Sequence, residues 1–243
     1  MVCIILAAGY ATRLYPLTEN FPKPLLKVGD KTILDWLLDD IDTSGDISEY
    51  VVISNHKFAH HFEEWAKTKT YKITVVDDGT ESNETRLGAV KDVQFAIDRL
   101  GIKDDILLIA GDNVLDFSLC KFIAYAKEKN TSAVMRYFEP EEKRLKKCGV
   151  LTLKGDVVTK MSEKPENPET NWCCPPFYFY KAEDLKINKA LEEGCGFDAP
   201  GSYVSWLCTK TTVNAMEMPG SRYDIGNLES YEQVKRDYKG IIK

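Results

Sequence analysis

The chain has 243 residues, of which 44% are hydrophobic and 29% are charged, and its formal net charge is −6. The composition is that of an ordinary globular protein with enough apolar residues for a sizeable core. An acidic balance argues against nucleic acid as the main partner, because binding a phosphate backbone requires a broad basic surface. It leaves room for a small phosphorylated ligand, which needs only a few well-placed cations.

Neither export nor membrane insertion is predicted from the sequence. The apolar run Val2–Ala7 is too short to cross a bilayer and has no basic leader before it. Seven cysteines, an odd number without a C-x-x-C pair, favour reduced thiols in the cytoplasm. His56, His60 and His61 lie close together, and this spacing favours a solvated helix face over a metal site.

Strands and helices alternate along the first half of the chain. The predicted strands are Val2–Ala7, Tyr50–Ser54, Lys72–Val76, Asp105–Ala110 and Ser132–Tyr137. The predicted helices are Lys31–Asp42, Lys57–Lys67, Leu87–Leu100 and Phe117–Lys129. This alternation predicts an α/β fold of the Rossmann-like, doubly wound type, with a mainly parallel mixed sheet and helices on both faces.

After about residue 139 the pattern becomes richer in strands. The candidates are Gly149–Leu153, Val157–Ser162 and Pro176–Lys181, followed by helices at Asp184–Glu193 and Asn227–Tyr238. No repeat and no Pro/Gly/Ser-rich linker interrupts the chain. We therefore predict one domain over residues 1–243, with two functional halves at 1–139 and 140–243, the second containing a small β-rich region.

The loop after the first strand carries the most informative residues. It reads AAGYATRLYPLT over residues 7–18 and FPKPLL over residues 21–26, and ligands of open α/β sheets bind beyond the carboxyl ends of the strands. Small residues at 7–9 let backbone N–H groups approach a phosphate or a base. Arg13 offers a planar fork for phosphate oxygens, and Lys23 lies between two prolines that restrict its backbone.

Two common nucleotide-binding motifs, G-x-x-x-x-G-K-[ST] and G-x-G-x-x-G, are absent, which argues against a P-loop and against a dinucleotide oxidoreductase. The loop instead resembles the N-terminal signature of the sugar-phosphate nucleotidylyltransferases. That family includes glucose-1-phosphate thymidylyltransferase, mannose-1-phosphate guanylyltransferase and related cytidylyltransferases. The resemblance continues through nearly the whole chain. One departure is Ala11, where members of the family often have glycine.

The resemblance implies a magnesium site formed by two aspartates. Asp112 follows the fourth predicted strand, and Asp224 lies in RYDIG at 222–226, which is similar to the family's late W-x-D-x-G element. Mg²⁺ suits such a pair because it binds one or two carboxylates together with substrate phosphates and water. Without the resemblance, Asp112 would begin a turn and Asp224 would cap the following helix.

The resemblance also assigns residues to the two substrates. Glu163 and Lys164 would bind the hydroxyls and the phosphate of a sugar, Gly149 begins a matching G-V strand, and Tyr178 would face the sugar ring. By themselves these residues also fit a surface charge pair and a core strand. The implied nucleotide-binding residues are Leu6, Ala7, Ala8, Gly9, Thr12, Arg13, Lys23, Arg86, Gly88 and Asp112.

Substrate preference is indicated at two places. Arg86 lies in the loop at 77–88 that is expected to read the base, and because arginine only donates hydrogen bonds it suits carbonyl-bearing bases over adenine. Pro175 and Pro176 lack N–H groups where thymidylyltransferases tend to have a T-G pair. We therefore expect an acceptor other than plain glucose 1-phosphate, unless the prolines only shape a strand edge.

The sequence thus predicts a cytoplasmic enzyme that transfers a nucleoside monophosphate from an NTP to a sugar 1-phosphate or related acceptor, with Mg²⁺ as cofactor and pyrophosphate as product. Arg13 and Lys23 are the expected catalytic residues, since phosphoryl chemistry depends on positioning and charge neutralisation. Both are expected to be exposed loop cations, so replacing either should have little effect on stability. Residues 1–139 would bind the nucleotide and 140–243 the acceptor. The alternatives are a cytidylyltransferase for a non-sugar phosphate and a non-catalytic nucleotide-sugar-binding regulator. No nucleic-acid or membrane partner is expected, and a homo-oligomer is left open.

Overall fold

The structure, a computed structural model, describes residues 1–241. Its strands are β1 Val2–Leu6, β2 Lys27–Val28, β3 Lys31–Thr32, β4 Glu49–Ser54, β5 Ile73–Asp77, β6 Ile106–Ala110, β7 Asn113–Leu115, β8 Ser132–Phe138, β9 Gly149–Lys154, β10 Val157–Glu163, β11 Trp172–Cys174, β12 Phe177–Tyr180, β13 Val213–Glu217 and β14 Arg222–Asp224. Its α-helices are α1 Ile33–Asp42, α2 Ala59–Ala66, α3 Ala89–Leu100, α4 Cys120–Lys129, α5 Glu142–Leu145, α6 Ile187–Glu192, α7 Gly201–Leu207 and α8 Leu228–Asp237. Over this described range, no helix combines the length and the apolar content that crossing a membrane requires.

The chain forms two compact units, each assembled from separate stretches of sequence. The first comprises Met1–Arg86, Ala110–Lys121 and the described part of Pro219–Lys243. The second comprises Leu87–Ile109 and Phe122–Met218. The functional division into residues 1–139 and 140–243 stays a prediction.

In the first unit, β1, β4 and β5 form a parallel sheet. Val2 lies opposite Glu49, and Tyr50 lies opposite Ile73. The side chains of β1 and β4 are almost all buried, as expected for short β-branched runs inside a parallel sheet. The loop after β1 therefore begins at the carboxyl end of this sheet, where the sequence predicted a ligand site.

Helix α1 shows how local chemistry sets an element boundary. The Thr32 hydroxyl accepts a hydrogen bond from the Asp35 N–H at 3.0 Å, and the Asp35 carboxylate accepts one from the Thr32 N–H at 3.1 Å. This reciprocal capping box satisfies two N–H groups and starts the helix at Ile33, two residues after the predicted start.

The end of the described chain packs into the first unit through α8. The Tyr231 hydroxyl donates to the Lys27 carbonyl and the Tyr238 hydroxyl to the Leu115 carbonyl, both at 2.7 Å. Both tyrosines belong to one buried core cluster, whose other members are Leu14, Val28, Ile33, Val114, Ile225 and Val234. This packing supports the pairing of β14 with β7, two short strands that the sequence did not predict.

The second unit contains a mixed sheet with the strand order β11-β9-β10-β13-β8-β12-β6. Strand β13 runs parallel to β8, whereas β12 is antiparallel to both of its neighbours, β6 and β8. The predicted strands of the β-rich region are present, and β13 was not predicted. The mixed α/β fold class is confirmed.

Candidate active site

The loop after β1 is held in place through its backbone. The Ala7 N–H donates to the Ile53 carbonyl of β4 at 2.9 Å, and the Asn55 amide donates to the Ala8 carbonyl at 2.9 Å. Asn55 is fully buried, so water does not compete for this bond. The backbone around Gly9 is therefore fixed before any ligand binds.

Neither backbone conformation nor packing among the described residues requires glycine at position 9. Its φ lies outside the left-handed region, and a methyl group added at its Cα would have no atom within 4 Å. The open space beside this backbone is what a ligand approaching the N–H groups requires. The contrast is Gly111, where a Cβ would lie 2.8 Å from Ile5 Cγ2.

We expect Gly9→Ala to keep or slightly raise the free energy of unfolding, by about 0.4–1 kcal/mol, because alanine restricts the unfolded chain. The same methyl group is expected to weaken NTP binding. Thermal unfolding and calorimetric titration with each NTP measure the two effects. Gly111→Ala is the contrasting variant, and it should lower the unfolding temperature. Unchanged NTP affinity in Gly9→Ala would remove this loop from the nucleotide site.

Ala11 adopts the left-handed conformation that glycine favours, with φ 48° and ψ 41°. Its carbonyl accepts hydrogen bonds from the Leu14 N–H and the Thr18 hydroxyl, both at 2.9 Å. The left-handed region costs an L-residue about 1–2 kcal/mol. These bonds hold the backbone in the shape for which glycine is the usual residue, so the departure at Ala11 does not require a different loop path.

Thr12 and Arg13 begin a short 3-10 turn, Thr12–Leu14, anchored by the buried side chain of Leu14. Arg13 is exposed, and Thr12 is exposed as well. Within residues 1–241 the Arg13 guanidinium has no ion-pair partner. The expectation that Arg13 is an exposed loop cation is met.

Lys23 differs from the expectation that it, too, is an exposed loop cation. It begins the 3-10 turn Lys23–Leu25, and its side chain is only 8% exposed. Its ammonium lies 2.8 Å from the Asp112 carboxylate. The prolines at 22 and 24 are buried as well, so the lysine lies in a buried turn where its charge requires a counter-ion.

Asp112 is placed by the tight packing of the residue before it. The Gly111 N–H donates to the Leu6 carbonyl at 3.0 Å, and only glycine fits against Ile5. Burial by itself would raise the pKa of Asp112, yet the charges of Lys23 and Arg222 outweigh it, so the pKa lies below its ordinary value. The carboxylate is ionised at neutral pH, and 44% of the side chain remains exposed.

Asp224 is brought beside Asp112 by strand pairing. In the β14–β7 ribbon Asp224 lies opposite Asn113, the residue after Asp112. The Asp224 side chain is 68% exposed, with the Arg222 guanidinium 3.8 Å away. Residues 1–241 contain no group of three or more His, Cys, Asp or Glu side chains that could hold a metal. Two carboxylates supply only part of the ligands of Mg²⁺, so water, or water and substrate phosphates, must supply the rest.

Asn113 and Arg222 belong to the same cluster, and the sequence analysis gave neither of them a role. Asn113 is 2% exposed, and its amide donates to the second oxygen of Asp112 at 3.0 Å. Arg222 donates to the Asn113 side-chain oxygen at 2.8 Å. The position of Asn113 directly after Asp112 was a usable signal, whereas nothing in the sequence indicated Arg222.

Arg86 and Gly88, predicted to contact the nucleotide, have different surroundings. Arg86 is exposed and donates to the Asn83 side chain at 3.0 Å. Gly88 caps α3 with φ 91°, and a Cβ there would lie 2.7 Å from the Phe197 carbonyl oxygen. Gly88 therefore has a sufficient structural reason to be glycine. Nucleotide contacts by either residue stay predictions.

In the second unit, Glu163 occupies a slot between two glycines. A Cβ on Gly149 would lie 3.1 Å from the Glu163 Oε2, and one on Gly201 would lie 2.5 Å from it. Glu163 is half-buried, and its carboxylate has no hydrogen-bond partner within residues 1–241. Burial raises its pKa above the ordinary value, and the charge of Lys164 offsets only part of this effect.

We expect Glu163→Gln to raise the unfolding temperature at pH 7. A raised folded-state pKa means that folding penalises the ionised carboxylate, and this penalty is present above the folded pKa and absent below the ordinary pKa. The gain should therefore vanish as the pH falls below about 4. Unfolding curves across pH measure it, with exposed Glu166→Gln as the control. A lower unfolding temperature at pH 7 would contradict the assignment of a desolvated charge.

Lys164 and Tyr178 complete the predicted acceptor residues. Lys164 is exposed and has φ 47°, with its N–H donating to the Cys148 carbonyl at 2.9 Å. Tyr178 is 2% exposed and stacks on Tyr180 with ring centroids 5.9 Å apart. All four residues of β12 are buried, so burial does not distinguish a ligand-facing side from a core side.

Comparison with known proteins extends over the whole chain. A family model described as Nucleotidyl transferase matches residues 2–240. The bifunctional protein GlmU of Methanocaldococcus jannaschii is 30% identical over 257 residues, which cover 100% of this chain and 57% of that protein. The UTP–glucose-1-phosphate uridylyltransferase AglF of Haloferax volcanii is 25% identical over 249 residues, 97% of this chain and 96% of that protein. The chain spans less than two thirds of the length of several curated relatives that it matches.

The fold is shared with solved structures. A UDP-glucose pyrophosphorylase complexed with UDP-glucose has a TM-score of 0.83 to this chain, at 19% identity, covering 98% of this chain and 97% of that one. At this identity the likeness concerns the fold.

Proposed function

The chain belongs to the nucleotidyl transferase family, and we propose that it transfers a nucleoside monophosphate from an NTP to a sugar 1-phosphate, releasing pyrophosphate. The observation that carries this proposal is the ion pair of buried Lys23 with half-exposed Asp112, next to Asp224 in the β14–β7 ribbon. A cation and two carboxylates at the carboxyl end of a strand are what a polyphosphate and its metal require.

In the proposed reaction an acceptor phosphate oxygen attacks the α-phosphorus of the NTP. A new P–O bond forms, the bond from the α-phosphorus to the bridging oxygen breaks, and pyrophosphate leaves with the electron pair. The attacking phosphate is already ionised at neutral pH, so no general base is needed. Lys23 would neutralise charge at the α-phosphate, and exposed Arg13 would bind the triphosphate and the departing pyrophosphate.

Asp112 and Asp224 would hold Mg²⁺, which when bound offsets negative charge on the α-phosphate. The fit rests on the donor set. Both side chains supply hard carboxylate oxygens, and both retain solvent exposure. The β14–β7 pairing places Asp224 opposite Asn113, the residue that follows Asp112. Ionised Asp112 accepts a hydrogen bond from Lys23 at one oxygen, and lone pairs remain that could bind a metal.

For the acceptor, we propose that Glu163 binds sugar hydroxyls and that Lys164 binds the acceptor phosphate. A desolvated carboxylate without a hydrogen-bond partner gains most from hydroxyl donors, because they supply the bonds that burial removed. Lys164 is exposed and supplies a point charge suited to a phosphate monoester. We further propose that the protein acts in the cytoplasm, where NTPs are available.

Pyrophosphate release across a grid of NTPs and sugar phosphates, with Mg²⁺ present, tests the proposed function. UTP with glucose 1-phosphate is the first pair to measure, given the activity named for the Haloferax volcanii relative. The grid also contains deoxy and amino sugar phosphates and non-sugar phosphates, because Pro175 and Pro176 remove two N–H donors. We expect one NTP to be clearly preferred. Absence of release with every pair, together with binding of a nucleotide sugar, would instead support a regulatory protein.

A further inference from the structure

Arg222 lies beside the proposed polyphosphate site, and most of its side chain is buried. Its side chain is only 20% exposed, and its guanidinium donates to the Asn113 side-chain oxygen at 2.8 Å. The nearer of its contacts is thus a neutral amide, with the Asp224 carboxylate at 3.8 Å. Burying most of a guanidinium costs free energy unless its charge and its N–H groups have partners.

The Asn113 amide is held by three hydrogen bonds. Its NH₂ group donates to Asp112 at 3.0 Å and to the Ala110 carbonyl at 3.2 Å, and its oxygen accepts from Arg222 at 2.8 Å. The two acceptors determine which way the amide faces, and Arg222 anchors the oxygen end so that the amide cannot swing away from Asp112. Asn113 is 2% exposed, so water cannot take over the role of Arg222.

Asp112 is then held at both oxygens. Lys23 donates to Oδ2 at 2.8 Å and Asn113 donates to Oδ1 at 3.0 Å. Two donors on different oxygens set the plane of a carboxylate, and each oxygen keeps a lone pair for a further ligand. A metal ligand oriented by such partners binds more tightly than one that must be ordered on binding.

We propose that Arg222 is a positioning residue that acts through Asn113 to orient the Asp112 carboxylate for metal-bound NTP. This inference rests on the proposed function for its role in turnover. The orientation of the Asp112 carboxylate, however, is already set in the protein without substrate, so metal binding and NMR can test it without an activity assay.

The test compares Arg222→Met with Arg222→Gln in the full chain, because both remove the charge of Arg222 and only glutamine keeps a hydrogen-bond donor for Asn113. Exposed Arg236→Met is the matched control. Titration with Mn²⁺, followed by the EPR signal of the free ion, is expected to show about 10–100-fold weaker binding in Arg222→Met than in Arg222→Gln, and Arg236→Met should match the wild type. Equal Mn²⁺ affinity in Arg222→Met and Arg222→Gln would overturn the proposal, even if the unfolding temperature falls.

A second readout follows the Asn113 side-chain amide by NMR. In the wild type its protons should exchange slowly with water, and in Arg222→Met the exchange should become faster. In turnover, Arg222→Met should lower kcat in the wild-type and Asp224→Asn backgrounds but add little in Asp112→Asn. An equal effect in Asp112→Asn would show that Arg222 does not act through Asp112. If no NTP supports turnover, the proposed function fails, and the Mn²⁺ and NMR results still decide the role of Arg222.

Discussion

Asp224→Asn and Asp112→Asn are each expected to lower turnover about 10²–10³-fold, the usual effect of removing one charge-stabilising group. Their effects on stability should differ. Asp224 is 68% exposed and 3.8 Å from its nearest cation, so its replacement should leave the free energy of unfolding unchanged. Asp112 is the counter-ion of Lys23, whose side chain is only 8% exposed.

In Asp112→Asn the Lys23 ammonium keeps a neutral acceptor but loses its counter-charge. We expect this to lower the free energy of unfolding by about 1–3 kcal/mol. Denaturant unfolding measures the stability, and pyrophosphate release at saturating Mg²⁺ measures turnover. Asp237→Asn, at an exposed position on α8, is the control for both. Near-normal turnover in either variant would exclude that residue from the proposed metal site.

Lys23→Met is expected to reduce transfer about 10²–10³-fold and to destabilise the fold, because methionine keeps the length of the side chain and removes its charge. Sequence reasoning had predicted little effect on stability for the loss of an exposed cation. The structure changes that expectation, since Lys23 is buried against an ionised carboxylate. The half-exposed Asp112 retains water, so we expect a loss of about 1–2 kcal/mol.

The pH dependence of that loss has a definite sign. Lys23 helps to hold the pKa of Asp112 below its ordinary value, so the pair stabilises the fold above the ordinary pKa, and this contribution disappears as the pH falls through the folded-state pKa. The difference in unfolding free energy between wild type and Lys23→Met should therefore be full at pH 7 and shrink below about pH 4. Exposed Lys27→Met is the control. A difference that grows on acidification would contradict the ion pair.

Much of the architecture was predictable because its signals are local. Each predicted strand and helix appears with its ends shifted by up to three residues. The apolar stripe of α1 and its capping residues Thr32 and Asp35 lie within a few residues of one another. The missed elements include α7 and β13, and several of the others, such as β7 and β14, are very short. A three-residue strand is stabilised by its partner and carries too few side chains to show a periodic pattern.

The sequence by itself determined the fold class, the family resemblance and the loop that begins at Ala7. It did not determine how the charges of the site are paired. Lys23 and Asp112 are 89 residues apart, and Asn113 and Arg222 are 109 residues apart. Lys23 meets Asp112 because Gly111 packs against Leu6 and Pro24, and Arg222 meets Asn113 because β14 pairs with β7. Burial of a charge depends on every element that surrounds it, which is why Lys23 was misjudged as exposed and Arg222 was overlooked until the tertiary structure placed them beside Asp112 and Asn113.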